Sequence, residues 1–268
     1  MIPASFSYKR PETIDEAVAL LTDPNSVPLA GGHSLLTRLK RRTQRPSVVV
    51  DISRLGLEKM SQASGRLNVG AMVRQANLKD CEGGCALLNA VVDATGDSST
   101  RANGTLVGAL CAKEPGGDWI PAALALDGVL SIVGPEGRET IPLSQALTRP
   151  IEGRLVTEVA LSIPGKEAIQ GYRKVKHAAV GWSIASVAFL IEKERVRFSV
   201  GGAVARPGRL KQIENAVLRG TKVTAEQIAA QIDALEPIGD RYASAKYRAR
   251  RLTILVNDII SEVSQTDR

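Results

Sequence analysis

The chain has 268 residues, 44% of them hydrophobic and 24% charged, a composition that indicates a folded globular protein and excludes a disordered one. The aromatic content of 3% argues against a surface that stacks nucleic-acid bases, and no apolar run approaches the ~20 residues that cross a bilayer. Because the first residues also lack the long apolar core of a signal peptide, we expect a cytoplasmic protein without a membrane span.

The cysteines predict neither a disulfide framework nor a metal centre. The chain has three cysteines, an odd number, and none of them form a C-x-x-C pair: Cys81, Cys85 and Cys111. With two histidines in the whole chain, a site with four metal ligands is hard to assemble. We therefore expect free thiols and no metal-binding residues.

The start of the chain, about residues 1–58, is predicted to form a small β-α-β-α-β lobe. Thr13 is a fair N-cap for the first helix because Glu16 follows it in capping-box spacing, and Ser34 is a candidate N-cap for the second helix. The predicted elements are a helix at residues 13–21 and strands at residues 27–30 and 47–52.

A second lobe, residues 59–165, is predicted to combine strands with helices. Residues 101–111 contain two glycines and lack an amphipathic helical pattern, so this segment is predicted to be a loop. Asp118 is the expected N-cap of the helix that follows. The other predicted elements are strands at residues 67–71, 129–133, 139–141 and 156–163, and helices at residues 86–94 and 119–126.

Residues 166–268 are predicted to be a C-terminal domain with a small antiparallel sheet and three helices. They carry 18 basic and 11 acidic side chains, which accounts for the net charge of +7. This excess, to which Arg248, Arg250 and Arg251 contribute, fits a solvated face, an acidic partner or an anionic acceptor, and no nucleic-acid motif accompanies it. The predicted strands are at residues 170–175, 184–191 and 196–200, and the helices at residues 210–218, 225–235 and 244–264.

Two glycine-containing joints, one in each predicted lobe, are candidates for binding an anion through the backbone. The first joins a strand to a helix through Gly31 and Gly32, and the second lies around Gly104 and Gly108. Glycine lets a phosphate approach the main chain closely, and unpaired N–H groups at a helix start donate hydrogen bonds to it. A single joint is more often a plain turn, but two are a stronger indication than either alone.

The sequence resembles the FAD-binding medium subunits of molybdenum hydroxylases, the family that includes carbon monoxide dehydrogenase and xanthine dehydrogenase. Residues 30–36, Ala-Gly-Gly-His-Ser-Leu-Leu, are similar to the first flavin loop of that family, and residues 104–118 are similar to its second. Residues 172–174 and 239–248 are similar to its C-terminal domain. The resemblance covers nearly the whole chain.

The resemblance implies an α+β fold in which a two-lobed FAD-binding domain of the PCMH/CO-dehydrogenase-flavoprotein type, residues 1–165, precedes a C-terminal domain, residues 166–268. It implies FAD as the cofactor, with iron–sulfur clusters on a small partner subunit and the molybdenum cofactor on a large one, assembled as a dimer of heterotrimers. This subunit of the oxidoreductase would pass electrons from the clusters through FAD to an external acceptor.

By the same resemblance, the two loops would bind the pyrophosphate through main-chain N–H groups. Asp118 would reach the ribose or polar atoms near the phosphates, unless it only caps a helix. Lys174 would approach the flavin, and Trp182 would lie near its isoalloxazine ring or else in the core. No catalytic residue is predicted, because a flavin relay needs no acid–base pair. The predicted cofactor-binding residues are Leu29, Ala30, Gly31, Gly32, His33, Ser34, Leu35, Gly104, Thr105, Val107, Gly108, Ala109, Pro115, Asp118, Lys174 and Trp182.

Two residues of the second loop differ from the family pattern and leave alternatives open. Relatives usually have glycine where this chain has Val107 and a polar residue where it has Ala109. Valine resists positive φ, and a lost polar side chain removes ~1 kcal/mol of hydrogen bonding, so weaker FAD binding is expected. The alternatives are a free-standing FAD oxidoreductase and a scaffold subunit that has lost its flavin.

Overall fold

The computed structural model describes residues 2–178 and 181–266, and the chain divides into two compact units. The first unit consists of Met1–Gly83, Asp97–Ala112 and Asp127–Ser162. The second unit consists of Gly84–Gly96, Lys113–Leu126 and Ile163–Arg268. Two segments from the first half of the chain therefore belong to the second unit, and the limits 1–165 and 166–268 stay a prediction from the sequence.

Helices and strands are numbered in chain order. The strands β1 to β12 are Ser7–Lys9, Ser26–Leu29, Val48–Asp51, Met60–Ala63, Arg66–Gly70, Val129–Gly134, Gly137–Pro142, Leu155–Ser162, Ile169–Lys176, Ser183–Glu192, Arg195–Gly201 and Gly208–Arg209. The helices α1 to α10 are Ile14–Leu21, His33–Arg41, Ala86–Ala94, Ser98–Asn103, Leu106–Ala112, Trp119–Ala125, Leu143–Ala146, Lys211–Leu218, Ala225–Asp233 and Ala245–Thr266.

The first sheet of the first unit contains β1, β3 and β2 in that order, and the neighbouring strands are parallel. Parallel neighbours need a crossover connection, which α1 and α2 provide. The Thr13 side chain caps α1 by accepting a hydrogen bond from the Glu16 N–H, and the helix buries Ala17, Val18 and Leu21. The predicted β-α-β-α-β order is confirmed.

The second sheet of the first unit is antiparallel, with the strand order β4-β5-β8-β6-β7. In β5, Leu67 and Val69 are buried while Asn68 between them is partly exposed, the alternation of a sheet with one covered face. The hairpin of β6 and β7 is where the sequence predicts it. The sequence does not predict β4, because its residues are largely exposed and show no apolar alternation.

Residues 101–111 do not form a loop, so the sequence-based expectation for this segment is wrong. The Asp97 side chain accepts a hydrogen bond from the Thr100 N–H at 2.7 Å and caps α4. The Thr105 hydroxyl then accepts a hydrogen bond from the Gly108 N–H at 3.1 Å in the first turn of α5. Two side-chain caps thus start two short helices where the glycines suggested an irregular segment.

The second unit is built on an antiparallel sheet with the strand order β12-β11-β10-β9. Residues 183–190 of the central strand β10 are all buried. Helix α6, which is buried at every residue, packs against β10 and β11, and α10 packs against β10. The predicted α+β class, the antiparallel sheet and the C-terminal helices are confirmed.

Arg248 fixes the start of α10 to the sheet of the second unit. Its side chain is only 5% exposed, and its Nη1 donates hydrogen bonds to the carbonyl oxygens of Gly202 at 2.7 Å and Ile184 at 3.2 Å. Its Nη2 lies 2.7 Å from the Asp240 carboxylate. The expectation that Arg248 adds to a basic surface is therefore wrong, because its charge is used inside the unit, whereas Arg250 is exposed.

Candidate functional site

The first glycine joint lies in the first unit between β2 and α2. Gly32 has a φ of 79° and a ψ of −13°, a left-handed conformation that favours glycine, and it immediately precedes α2. A β-carbon at Gly31 would lie 2.2 Å from the Asn103 carbonyl oxygen and 2.8 Å from the α-carbon of Gly104. The two joints therefore touch through their backbones, and only glycine at position 31 allows this approach.

The first turn of α2 presents backbone N–H groups that have no acceptor. The Leu36 N–H donates to the Gly32 carbonyl oxygen at 2.8 Å and begins the helical hydrogen bonds. In the described part of the chain, nothing accepts from the N–H groups of His33, Ser34 or Leu35, and no side chain caps the helix. Unpaired donors at the positive end of a helix suit a phosphate.

Ser34 is not the N-cap of α2, so this part of the sequence-based prediction is wrong. Gly32 occupies the N-cap position, and Ser34 lies within the first turn of the helix. The left-handed conformation of Gly32 lets the chain enter the helix earlier than a serine cap would. The consequence is an open helix start, since a serine cap would have satisfied one of the free N–H groups.

The second joint is held by hydrogen bonds to Gln75, a buried side chain in the first unit. The Gln75 N–H donates to the Gly104 carbonyl oxygen at 2.9 Å, and its side-chain nitrogen donates to the Thr105 carbonyl oxygen at 3.3 Å. A β-carbon at Gly104 would lie 2.7 Å from the Thr100 carbonyl oxygen. The backbone of this joint is therefore tightly packed and held by hydrogen bonds, with no room for a side chain at position 104.

Val107 does not disturb the second joint, contrary to the expectation from the sequence. It lies in α5 without positive φ, and its side chain is buried in the first unit. Valine costs little there because the segment needs no left-handed backbone at this position. Within the described residues the Val107 N–H also has no acceptor, whereas Ala109 has no polar side-chain atom to offer a ligand.

In the second unit, Asp118 is the centre of a buried polar network. The side chains of Asp118 and Lys174 are 7% and 4% exposed, and Lys174 Nζ lies 2.9 and 3.0 Å from the carboxylate oxygens. Lys174 also donates to the Ala94 carbonyl oxygen at 3.0 Å. The hydroxyl groups of Tyr172 and Ser183 donate to Asp118 Oδ1 at 2.6 and 2.7 Å. Asp118 makes no capping bond to α6, so that predicted role is wrong.

The charges and the burial of this network keep the Tyr172 hydroxyl protonated. Burial, followed by the negative charge of Asp118, raises the pKa of the Tyr172 hydroxyl well above its usual value of 10. The hydroxyl is therefore a hydrogen-bond donor over the ordinary pH range. Lys174 has three N–H donors and three acceptor atoms within the unit, so its donors are all used without a ligand.

Pro115 and Trp182 lie where the start of β10 meets the segment before α6. The Ser183 N–H donates to the Gly116 carbonyl oxygen at 3.1 Å, and the Gly202 N–H donates to the Pro115 carbonyl oxygen at 2.8 Å. The Trp182 side chain is 62% exposed. The alternative that Trp182 belongs to the core is therefore wrong, and its ring is available to a ligand or partner.

The structure places the predicted cofactor-binding residues in two groups. The first unit contains residues 29–35 and 104–109, and the second contains Pro115, Asp118, Lys174 and Trp182. Ser183 and Tyr172, which belong to the network around Asp118, were not among the residues predicted from the sequence. Tyr172 and Lys174 alternate along β9 and so face the same side of the sheet, a signal that the sequence contained. Among the described residues no group of His, Cys, Asp and Glu side chains could hold a metal ion.

Both joints lie within a segment of the chain that matches a known protein family. Residues 4–164 match the family described as the FAD binding domain in molybdopterin dehydrogenase. The chain belongs to this family. It is an FAD-binding medium subunit of the molybdenum hydroxylase family and thus a subunit of an oxidoreductase.

Relatives match this medium subunit over nearly its full length. It is 28% identical to the glyceraldehyde dehydrogenase medium chain of Sulfolobus acidocaldarius, over 98% of this chain and 100% of that one. It is 28% identical to the carbon monoxide dehydrogenase medium chain of Hydrogenophaga pseudoflava, over 92% and 93% of the two chains. A solved structure of carbon monoxide dehydrogenase from H. pseudoflava, in a form lacking the Mo-pyranopterin moiety, matches with a TM-score of 0.87, 27% identity and 96% coverage of both chains.

In residues 2–178 and 181–266, no helix combines the length and the apolar character that crossing a bilayer requires. The longest helix, α10, carries charged residues such as Lys246 and Arg250 in its first turns.

Proposed function

We propose that this subunit binds FAD where its two glycine joints touch, and that it relays electrons through FAD in a dehydrogenase of three kinds of subunit. The observation that carries the proposal is the row of unpaired N–H groups at His33, Ser34 and Leu35, next to a backbone contact that requires Gly31. Such donors suit the pyrophosphate of a dinucleotide. The residues present therefore fit FAD.

In this proposal the main chain of the first unit holds the cofactor. The N–H groups of residues 33–35 and of Val107 donate to phosphate oxygens, while Gly31 and Gly32 keep side chains out of the way. Leu29, Ala30, Gly104, Thr105, Gly108 and Ala109 form the surrounding backbone.

The contacts proposed in the second unit have a different basis. Pro115, Asp118, Lys174 and Trp182 stay predicted cofactor contacts because of the family resemblance. The hydrogen bonds of Lys174 are complete within the unit, so we assign it first to positioning its own segment. Trp182, whose ring is exposed, is the member of this group that can meet a ligand without rearrangement.

The chemistry divides between cofactor and protein. When bound, FAD supplies a centre that accepts and releases electrons. The chain itself binds the dinucleotide, fixes its position through a tightly packed backbone and places the positive end of α2 beside its negative charge. No acid–base pair is required for these tasks.

The partners are proposed from the names of the relatives, which are medium chains of dehydrogenases. We expect a small subunit with iron–sulfur clusters that delivers electrons, a large subunit with the molybdenum cofactor, and an external electron acceptor, all in the cytoplasm. A dimer of heterotrimers is the proposed assembly. Native mass spectrometry of the co-expressed complex tests it, and isolation of this subunit as an active flavoenzyme on its own would favour the free-standing oxidoreductase.

The test of FAD binding is an absorption spectrum of the purified chain followed by titration with FAD. Flavin bands that are present on isolation, or that are restored with saturable binding, support the proposal. A protein that stays colourless and ignores FAD, although folded by circular dichroism, would overturn it and favour a scaffold subunit without flavin.

A further inference from the structure

An exposed aromatic and basic surface lies at the start of α10 in the second unit. We name it the aromatic–basic surface, and it consists of Arg241, Tyr242, Lys246, Tyr247 and Arg250. Tyr242 and Tyr247 are 49% and 47% exposed, so about half of each side chain faces solvent. Helical periodicity places Lys246, Tyr247 and Arg250 on the side of α10 away from the buried Arg248.

The loop that carries Tyr242 is held by hydrogen bonds and an ion pair of Asp240. Asp240 Oδ1 accepts hydrogen bonds from the N–H groups of Tyr242 at 2.8 Å and Ala243 at 3.1 Å. Its other oxygen pairs with Arg248, which is anchored on carbonyl groups of the sheet. A β-carbon at Gly239 would lie 2.9 Å from the Ala245 nitrogen, so the loop also closes tightly on the helix start. A rigid loop loses little conformational freedom when it binds a partner.

The Tyr242 ring is held by its neighbours while half of the side chain faces solvent. The Arg241 guanidinium lies 4.7 Å from the ring centroid, within cation–π distance. The His177 ring lies 5.2 Å away, tilted by 45°. These contacts orient the tyrosine without burying it, which is the state of an anchor residue before binding.

The charge of this surface is positive and largely uncompensated. Asp240 is the only acidic residue between Glu236 and Asp258 in the sequence, and it is paired with the buried Arg248. In the part of the chain that the structure describes, Lys246 and Arg250 form no ion pair. The cations around the two tyrosines are therefore available to an anionic partner.

We propose that the aromatic–basic surface docks an acidic patch on a partner protein. Tyrosine and arginine are the residues that dominate protein interfaces energetically, and here they stand on a preformed loop with a positive charge that selects acidic partners. A membrane surface fits less well, because the apolar residues of α10, Leu252, Val256 and Ile259, are buried in the second unit. This inference is independent of FAD binding.

Single-stranded nucleic acid also fits less well than protein. Stacked bases need successive open aromatic faces along a groove. The Tyr242 ring already has neighbours in Arg241 and His177, and no further exposed aromatic ring follows Tyr247 in the described chain. The arrangement of these rings therefore favours a protein partner.

The test uses the full chain and a fluorescein-labelled peptide of alternating glutamate and leucine as the probe, measured by fluorescence anisotropy at low and physiological salt. We expect saturable binding that weakens with salt, and a loss of about tenfold in affinity in both Tyr242→Ala and Arg250→Glu. Arg219→Glu is the matched control, since Arg219 is an exposed cation at the end of α8 and its replacement changes the net charge equally. It should alter affinity by less than about twofold.

Three outcomes would overturn the proposal. The first is absence of peptide binding to the wild-type chain, and the second is an equal loss in Arg219→Glu, which would mean that only bulk charge matters. The third is tighter binding of oligouridylate, or of vesicles containing phosphatidylglycerol, than of the peptide. Thermal unfolding of each variant verifies that it is folded, and Tyr242→Phe, which keeps the ring, should retain most of the affinity if Tyr242→Ala fails to fold.

Discussion

A single hydrogen atom at position 31 in place of a side chain allows the two glycine joints to touch. In Gly31→Ala the new methyl group would meet the Asn103 carbonyl oxygen at 2.2 Å, so the joints must separate. We expect strain of about 1–3 kcal/mol, which corresponds to a roughly 5- to 150-fold weaker affinity for FAD if the site depends on this contact. Titration with FAD by fluorescence quenching measures the change.

Gly165→Ala is the control for that substitution. A β-carbon there would meet only the end of the Glu192 side chain, at 3.4 Å, and the position has no positive φ. Its FAD affinity should equal that of the wild type. Unchanged affinity in Gly31→Ala as well would mean that the contact between the joints does not build the site.

Lys174 is the counter-charge of a buried carboxylate. Lys174→Met would leave the Asp118 carboxylate buried without its cation, at a cost of about 3–5 kcal/mol in the free energy of unfolding. Urea denaturation followed by circular dichroism measures this loss. The double variant Asp118→Asn/Lys174→Met removes both charges and should recover part of the lost free energy of unfolding. If Lys174→Met alone is as stable as the wild type, the ion pair has no structural role.

Tyr172 should make the free energy of unfolding fall as the pH rises above 10. Because its pKa is raised above 10 in the folded state, the hydroxyl holds its proton more tightly there than in the unfolded chain. Its contribution is complete below pH 10 and is lost as the pH rises toward the folded pKa. We expect Tyr172→Phe to show a shallower loss of stability above pH 10 in urea denaturation. Tyr247→Phe, an exposed tyrosine, should keep the slope of the wild type.

Single residues were the hardest part to predict. The sequence indicates the glycines of both joints because their conformational freedom is a local property. It could not reveal that Asp118 binds Lys174 and Tyr172 instead of capping α6, because these partners come from distant segments of the chain. Trp182 was ambiguous for the same reason: its exposure depends on what packs beside it.

At the start of helix α2, a substitution that stabilises the cofactor-free protein should weaken its affinity for FAD. Ser34→Asp would place a carboxylate among the free N–H groups of the first turn, which stabilises the cofactor-free protein by about 0.3–1 kcal/mol. The same charge would repel a phosphate, so FAD affinity should fall. Thermal unfolding and FAD titration on one preparation measure the two opposite effects.

Ser34→Asn separates charge from size in this experiment. Asparagine has nearly the shape of aspartate but no charge, so most of the FAD affinity should remain. If asparagine and aspartate weaken binding equally, crowding of the helix start explains the loss and the electrostatic argument fails.

Element boundaries followed from local signals where those signals were simple. Thr13 and Glu16 identify the start of α1, and the apolar run of β3 identifies a covered strand. Residues 101–111 were misassigned because Gly104 and Gly108 outweighed the caps Asp97 and Thr105, each of which starts a short helix. Strand β4 has no such signal, since its pairing with β5 alone defines it.

For the whole molecule, FAD should act as a stabilising ligand. A ligand that binds only the folded state at about 100 times its Kd adds roughly 2.7 kcal/mol to the free energy of unfolding. The melting temperature should therefore rise steadily with FAD concentration in differential scanning calorimetry. Adenosine alone, which lacks the pyrophosphate, should shift it far less; an equal shift would argue against the phosphate site at α2.

The α+β class and the family were predictable from the sequence because they depend on ordered motifs. The interleaving of the two compact units was not, because residues 84–96 and 113–126 carry no mark of the sheet that they pack against. Their apolar character fits either unit, and only the long-range contacts of α3 with β9 and of α6 with β10 decide between them.

This interleaving affects how the protein is made. Helix α6 leaves the ribosome well before β10 and β11, the strands that cover it, have been translated. Because every residue of α6 is buried in the finished subunit, the nascent chain exposes an apolar segment until those strands arrive. A message truncated near residue 165 would therefore release a chain with an uncovered apolar helix, a substrate for chaperones and for aggregation.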